Sequence, residues 1–368
     1  VFARVETVDG CHRISAVDLK VSTTAFPQGY LKELESCDDD DELDGLHLFD
    51  LTQASAEFIA QFPIGEPLEI EYYRTQEDAQ LEFNKITDQA NYVNETPFTQ
   101  LIYVRVESKD NGNCFGIGPY LKLTVHPRPE FEVVPLASVC INLGTVTLET
   151  FNPKGDYSYQ WFNPSNDLIG SSPTLEVSIG GAYNVIATSG LNCASFSQII
   201  TVIASDVANI NENDITITDD SNNNTVSINN ANQNLGIGDY EFSLDDEFGL
   251  FQDAPFFDRV LPGIHTIFVR DKNSCGLVSL DISVIGFPKF FTPNNDGQND
   301  YWKVLGVNQY FFPTSLIYIY DRYGKILAKV NPHGKGWDGY YNGIQLPSDD
   351  YWFSVQLKNL NGVVKNKK

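Results

Sequence analysis

The densest chemistry in the chain is a run of oxygen donors, Cys37-Asp38-Asp39-Asp40-Asp41-Glu42-Leu43-Asp44-Gly45, with Asp50 following. Carboxylates at alternating positions ahead of a turn-forming glycine suit Ca2+, whose loop must wrap about six or more oxygens around one ion. Asp38, Asp40, Glu42, Asp44 and Asp50 are the candidate ligands, and Ca2+ is the cofactor they imply. The run departs from an EF-hand, because Leu51 stands where the closing bidentate Glu belongs when counting starts at Asp40. A solvated acidic loop is the competing reading. A second oxygen-rich segment, Asn294, Asp296, Asn299 and Asp300, is another candidate for Ca2+, against the favoured reading of an Asx-rich turn that uses the same residues without metal.

The sequence carries no GxSxG, no HExxH, no phosphate-cradling glycine loop and no Cys/His pair in one segment, and its five His are dispersed. It reads as non-enzymatic, with no catalytic residue to assign. With 49 acidic against 24 basic residues the net charge is −25, which opposes nucleic acid and anionic membranes. No apolar run approaches the roughly 18 residues of a membrane helix. Cys11, Cys37, Cys114, Cys140, Cys193 and Cys275 form no CxxC, so zinc is disfavoured. One structural disulfide per module is expected, Cys37 with Cys114 and Cys140 with Cys193, with Cys11 parted from its partner and Cys275 having none; buried free thiols are the other reading.

These residues must be positioned by strands. Short runs of alternating apolar and polar residues recur between Gly, Pro and Asn punctuation, which predicts an all-β chain of antiparallel sandwich modules in tandem. Helical signal is confined to Thr75 and Asp78, a capping-box-like start, followed by Ala79, Phe83 and Ile86. An internal repeat sets the frame: Val1 to Glu6 matches Ile102 to Glu107, Cys11 matches Cys114, and Leu19-Lys20-Val21 matches Leu121-Lys122-Leu123. Residues 1–29 are thus the expected tail of one module, and 30–129 a whole copy. The chain begins at Val1 and has no Met, so it is expected to be a piece of a longer protein.

Residues 130–204 are immunoglobulin-like in order and spacing. Cys140 precedes Trp161, and Gly181-Ala182-Tyr183-Asn184-Val185 resembles a tyrosine corner ahead of Cys193. Residues 205–286 are Asn-rich, but Val226 and Ile228 alternate through them, and they are similar to the short β-repeats of surface adhesins.

The last segment differs in charge: residues 287–368 hold 10 Lys and Arg against 6 Asp, a net of +4, and residues 1–286 a net of −29. It contains Phe290 to Trp302, with Pro293, Asn294, Asp296, Gly297, Asn299 and Asp300; Ile319 to Lys325, with Asp321, Arg322 and Gly324; Gly336 to Gly343, with Trp337, Asp338 and Gly339; and Leu346 to Trp352, with Tyr351. These four ordered blocks resemble the gliding-motility-associated C-terminal domain, the type B sorting domain of the type IX secretion system in Bacteroidota. The physics of the blocks is readable without the resemblance. Asp-Arg-Tyr-Gly joins two strands as a hairpin, Asn342-Gly343 suits a type I′ turn, and Trp337 and Trp352 are expected to pack across the sandwich. The ending Asn361 to Lys368 departs from the family's closing strand, so the last strand is expected to be cut short or the natural end to lie elsewhere.

The resemblance implies export through the periplasm and outer membrane to the cell surface. It implies as partners the outer-membrane type IX translocon and associated shuttle or β-barrel anchoring proteins. The repeated modules point to an adhesin or gliding-type filament, with surface glycans or other cells as targets of upstream modules. A spacer behind an upstream glycan hydrolase or protease is the alternative.

Overall fold

The computed structural model describes residues 2–16, 26–62, 65, 67–110 and 114–368. The repeat match at Leu19-Lys20-Val21 lies outside them. Among the described residues the regular secondary structure is almost all strand, and the chain divides into two compact units, residues 1–134, 149–175 and 183–199, and residues 135–148, 176–182 and 200–368.

In the first unit the strands Lys32–Cys37, Cys114–His126, Thr99–Ser108 and Leu68–Tyr73 form one sheet in that order. Side chains alternate across a strand with period two, so Ile102, Val104 and Val106 turn inward together with Leu121, Leu123 and Val125. Tyr72 joins them from the same sheet, and Phe26, Phe58 and Phe62 close the other side of this core. Thr75 caps the helix Gln76–Leu81 by accepting from the Asp78 N–H at 3.1 Å. That helix stops at Glu82, whose φ of 54° turns the chain away. Phe83 is therefore exposed, and Ile86 reaches the core from the segment beyond the helix. A second short helix, Ser55–Ile59, gave no comparable sequence signal and seats Phe58 in the core.

The strands Phe2–Glu6 and His12–Ala16 pair antiparallel, as do their counterparts in the whole copy, and all their side chains are exposed. Tyr157–Phe162 pairs antiparallel with Gly181–Ser189 and with Leu168–Gly170. Trp161 between them is fully buried and donates its indole N–H to the Ser172 carbonyl at 2.8 Å.

In the second unit, residues 208–284 bury a core of their own between two three-stranded sheets. Val226 and Ile228 point into it from Thr225–Ile228. The Asn-rich stretch is ordered by side-chain bonds: Asn224 accepts from the Ser221 N–H and donates to the Val260 carbonyl.

Among the described residues, two of the strand pairings are parallel rather than antiparallel. Lys32–Cys37 runs beside Cys114–His126 with Cys37 opposite His126, and Leu136–Cys140 runs beside Gln198–Ser205 with Cys140 opposite Ser205. In both, a module's opening strand lies along its closing strand. This register overturns the expected disulfides. Cys37 sits twelve positions along the strand from Cys114, about 40 Å at strand rise, against the roughly 7 Å between Cα atoms that a bridge tolerates. Cys37 bonds Cys193, and Cys140 bonds Cys275, at Cα separations of 5.5 and 5.1 Å. Each bridge leads from an opening strand to the last hairpin of the next segment. Cys275 thus has a partner, contrary to expectation, while Cys11 is free and exposed.

Candidate functional site

The four C-terminal blocks converge on one sheet. Its strands are Ile326–Val330, Thr314–Tyr320, Trp352–Lys358 and Val364–Lys367, in that order. The first two form the expected hairpin: Asp321 accepts from the Tyr323 and Lys325 N–H groups, and Gly324 takes a φ of 83°. Asn342 and Gly343 have φ of 49° and 80°, the two positive values that a type I′ turn requires.

The Asx segment behaves as a turn. Asp300 accepts from the N–H groups of Asn295 and Gly297, and Asp296 accepts from the Gln298 N–H and the Asn294 amide. The last two bonds hold the Asp296 carboxyl below the usual carboxylate range. Asn299 contributes through its backbone, its carbonyl accepting from the Thr292 N–H. Pro293 lies beside Gly339, where it and Phe291 stand within 3.4 Å of a Cβ position that glycine leaves empty. Asp338 accepts from the Tyr340 N–H.

Trp337 is buried, exchanging two backbone hydrogen bonds with Trp302 and packing on Phe291 and Tyr351. Trp352 does not join it. Along Trp352–Lys358, Val355 and Leu357 face the core, so Trp352 falls on the opposite face and is 63% exposed. The aromatic that pairs with Trp337 is Trp302, whose indole N–H donates to the Pro288 carbonyl and whose ring meets Phe353. The motif residues therefore play separate parts. Trp337 and Gly339 are buried, and the Asx and Asp-Gly residues close their own turns. Arg322, ion-paired to Asp349, with Tyr323 and Trp352, remains at the surface, where the turn of residues 321–325 and the segment 346–351 line a shared groove with Tyr341.

Two of this domain's basic residues are already engaged. Lys365 and Lys367, on the edge strand, pair with Asp219 and Asp220 at 2.8 and 2.5 Å.

In the first unit, Asp38, Asp40 and Asp44 each place one carboxylate oxygen within 4.8 Å of the others. Glu42 and Asp50 are not part of that group. Asp50 caps the turn Leu51–Ala54 by accepting from Thr52, which lowers its pKa. Beside the loop, Ser36 Oγ meets His47 Nε2 at 2.9 Å and His47 Nδ1 meets Asp39 at 3.0 Å. This is the order of a hydrolytic triad, brought together by three residues that sequence spacing did not single out. Ser36 lies within a regular strand opposite Val125 rather than on a sharp turn, and the Asp39 side chain is 64% exposed. The relay ties the loop to the sheet.

Residues 285–368 match the family model of the CHU_C Type IX secretion signal domain. This segment is a type IX secretion signal domain. Residues 33–129 match the Flavobacterium inter-domain disulphide bond domain, whose description agrees with the Cys37–Cys193 bridge leaving that segment. No curated protein matches the chain. Among solved structures, Drosophila OTK extracellular domains 3-5 align at 7% identity over 74% of this chain and 100% of that one, with a TM-score of 0.29. Titin domains A168-A170 align at 12% over 59% and 88%, with a TM-score of 0.30. The fibronectin(III)-like modules of Clostridium thermocellum CbhA align at 16% over 43% and 94%, with a TM-score of 0.25. The β-sandwich reading rests on the strand pairing above rather than on these alignments. The secretion signal domain directs export to the cell surface or extracellular space, and among the described residues no helix is long and apolar enough to cross a membrane. The type IX secretion signal domain and the tandem β-modules ahead of it are those of a secreted surface protein.

Proposed function

We propose that the exposed set of motif residues, Arg322, Tyr323, Asp349 and Trp352, is the face by which the secretion signal domain is read. Its readers are the outer-membrane type IX translocon and the shuttle or β-barrel anchoring proteins associated with it. The observation that carries this reading is the separation of the motif into buried and exposed members. Burial explains Trp337 and Gly339, whereas Trp352 at 63% exposure and Tyr323 at 88% contribute little to folding. The strand Val364–Lys367 lies at the sheet edge and offers a second docking mode, strand addition.

The modules ahead of this domain serve as the stalk of an adhesin or gliding-type filament that presents upstream modules to surface glycans or other cells. Support comes from repetition and from covalent coupling. Two bridges join successive segments, an arrangement suited to bearing load and unneeded in a simple spacer.

The export test fuses residues 285–368 to a periplasmic reporter in a type IX-competent host. R322A/W352A retains the melting transition of the parent and leaves the reporter in the periplasm. Export at the parental level by that variant refutes the docking face. For the stalk, deleting the gene abolishes cell attachment and leaves extracellular hydrolase activity unchanged; the reverse pattern refutes the adhesin reading.

A further inference from the structure

We infer that the loop following Lys32–Cys37 binds one Ca2+ through Asp38, Asp40 and Asp44. Six carboxylates, Asp38 to Asp41, Glu42 and Asp44, are crowded into this loop. The nearby cation, the Arg128 guanidinium, donates to the carbonyls of Asp38 at 2.6 Å and Asp40 at 3.1 Å. His47 pairs with Asp39, outside the group of three.

The second observation is Asp38 itself. It is only 1% exposed; its Oδ2 accepts from the Gly45 N–H at 3.0 Å, and its Oδ1 is buried with no hydrogen-bond partner. An anionic oxygen left in that state bears its full desolvation cost. A cation held between Asp38 and its two neighbours removes that cost. Asp40 and Asp44 each spend one oxygen on a loop N–H, from Glu42 and Leu46, and each keeps another for a ligand.

The cradle is built before any ion arrives. The Asp38 N–H donates to the His126 carbonyl at 2.9 Å, and the Gly45 carbonyl accepts from the Phe98 N–H and the Asn94 amide, both at 2.9 Å. Gly45 has a φ of 75°, and a Cβ there would stand 2.9 Å from Phe98. An all-carboxylate set is hard, which excludes the thiophilic metals. Asp40 and Asp44 are exposed, so waters complete an irregular shell of the kind Ca2+ accepts and Mg2+ resists. The site adjoins Cys37 of the Cys37–Cys193 bridge, and Arg128 ties it to the segment that leaves this module, so the ion also stiffens that junction.

The test is calorimetric titration of CaCl2 into the full chain, with thermal melting in millimolar Ca2+ and in chelator. The expected result is one Ca2+ per chain at a Kd of about 0.1–1 mM and a higher melting temperature with the ion. D38N and D44N, which keep the side-chain acceptors, each weaken binding at least about tenfold, while E42Q and D50N bind as the parent does. D44N changes an exposed residue and keeps the test decisive should D38N fail to fold. Absence of binding in the parent, parental affinity in D44N, or equal affinity for Mg2+ overturns the assignment.

Discussion

Replacing both Cys140 and Cys275 with Ser tests the claim that the bridges couple successive segments. The bridge spans 135 residues, and closing a loop of that length in the unfolded chain is worth about 5 kcal/mol at 25 °C on the chain-entropy account. The relevant unfolding is smaller, because residues 208–284 bury their own core. When only that segment opens, the tethered loop runs from the segment's start to Cys275, roughly 70 residues, and the constraint is worth about 4 kcal/mol. Polar contacts remain when the sulfurs are gone. Asn142 donates to the Cys275 carbonyl at 2.8 Å, and Ser205 Oγ donates to the buried Asp271 at 2.7 Å. They retain part of the coupling, so the expected loss is about 2–4 kcal/mol, a fall of about 10–20 °C in the transition of this segment. Calorimetry of the full chain measures it in C140S/C275S, in the oxidised parent and in the parent under reductant. Transitions that coincide within about 2 °C in all three refute the coupling argument.

Non-reducing peptide mapping returns Cys37–Cys193 and Cys140–Cys275, with Cys11 alkylated before reduction; a Cys37–Cys114 peptide would contradict the strand register. G336A places a Cβ 2.6 Å from the Trp302 carbonyl oxygen at a φ of 107°, so urea unfolding followed by Trp fluorescence shows a loss of about 2–3 kcal/mol. A loss below about 0.5 kcal/mol means that the Trp302–Trp337 pairing tolerates displacement. Burial raises the Tyr72 pKa to about 12, and the hydroxyl donates to the Leu51 carbonyl. The unfolded chain then loses this proton near pH 10 while the native state keeps it. The stabilisation is complete below about pH 10 and is lost as pH rises toward 12. Absorbance at 295 nm registers the delayed tyrosinate, and Y72F flattens the alkaline stability loss; an unchanged slope in Y72F removes Tyr72 as its source.

The secretion signal domain was legible because its motif is local. Asp321 bonds N–H groups two and four residues on, and Asn342-Gly343 needs only two positive φ values, so each block carries its own turn wherever it sits. The Asn294–Asp300 turn is equally self-contained. The side of the sheet taken by Trp352 was not legible, because it depends on register across Tyr320 and on Trp302 occupying the place beside Trp337. Ser36, Asp39 and His47 likewise meet only because the acidic loop folds back over the strand that precedes it.

By itself the sequence determined the all-β character, the capped helix at Thr75 and the turns, which follow from side-chain period and from contacts a few residues apart, and its four ordered blocks carried the resemblance that identifies the last domain. Tertiary structure alone decided the cysteine partners and the state of Asp38. A disulfide depends on where strand ends meet in space, and the parallel alignment of opening and closing strands carries Cys37 far from Cys114 and brings it to Cys193. Burial is equally non-local. Among similar acidic neighbours, Asp38 is 1% exposed with an unpaired oxygen because the loop closes over it through Gly45, Asn94 and Phe98, residues that no spacing rule links to it.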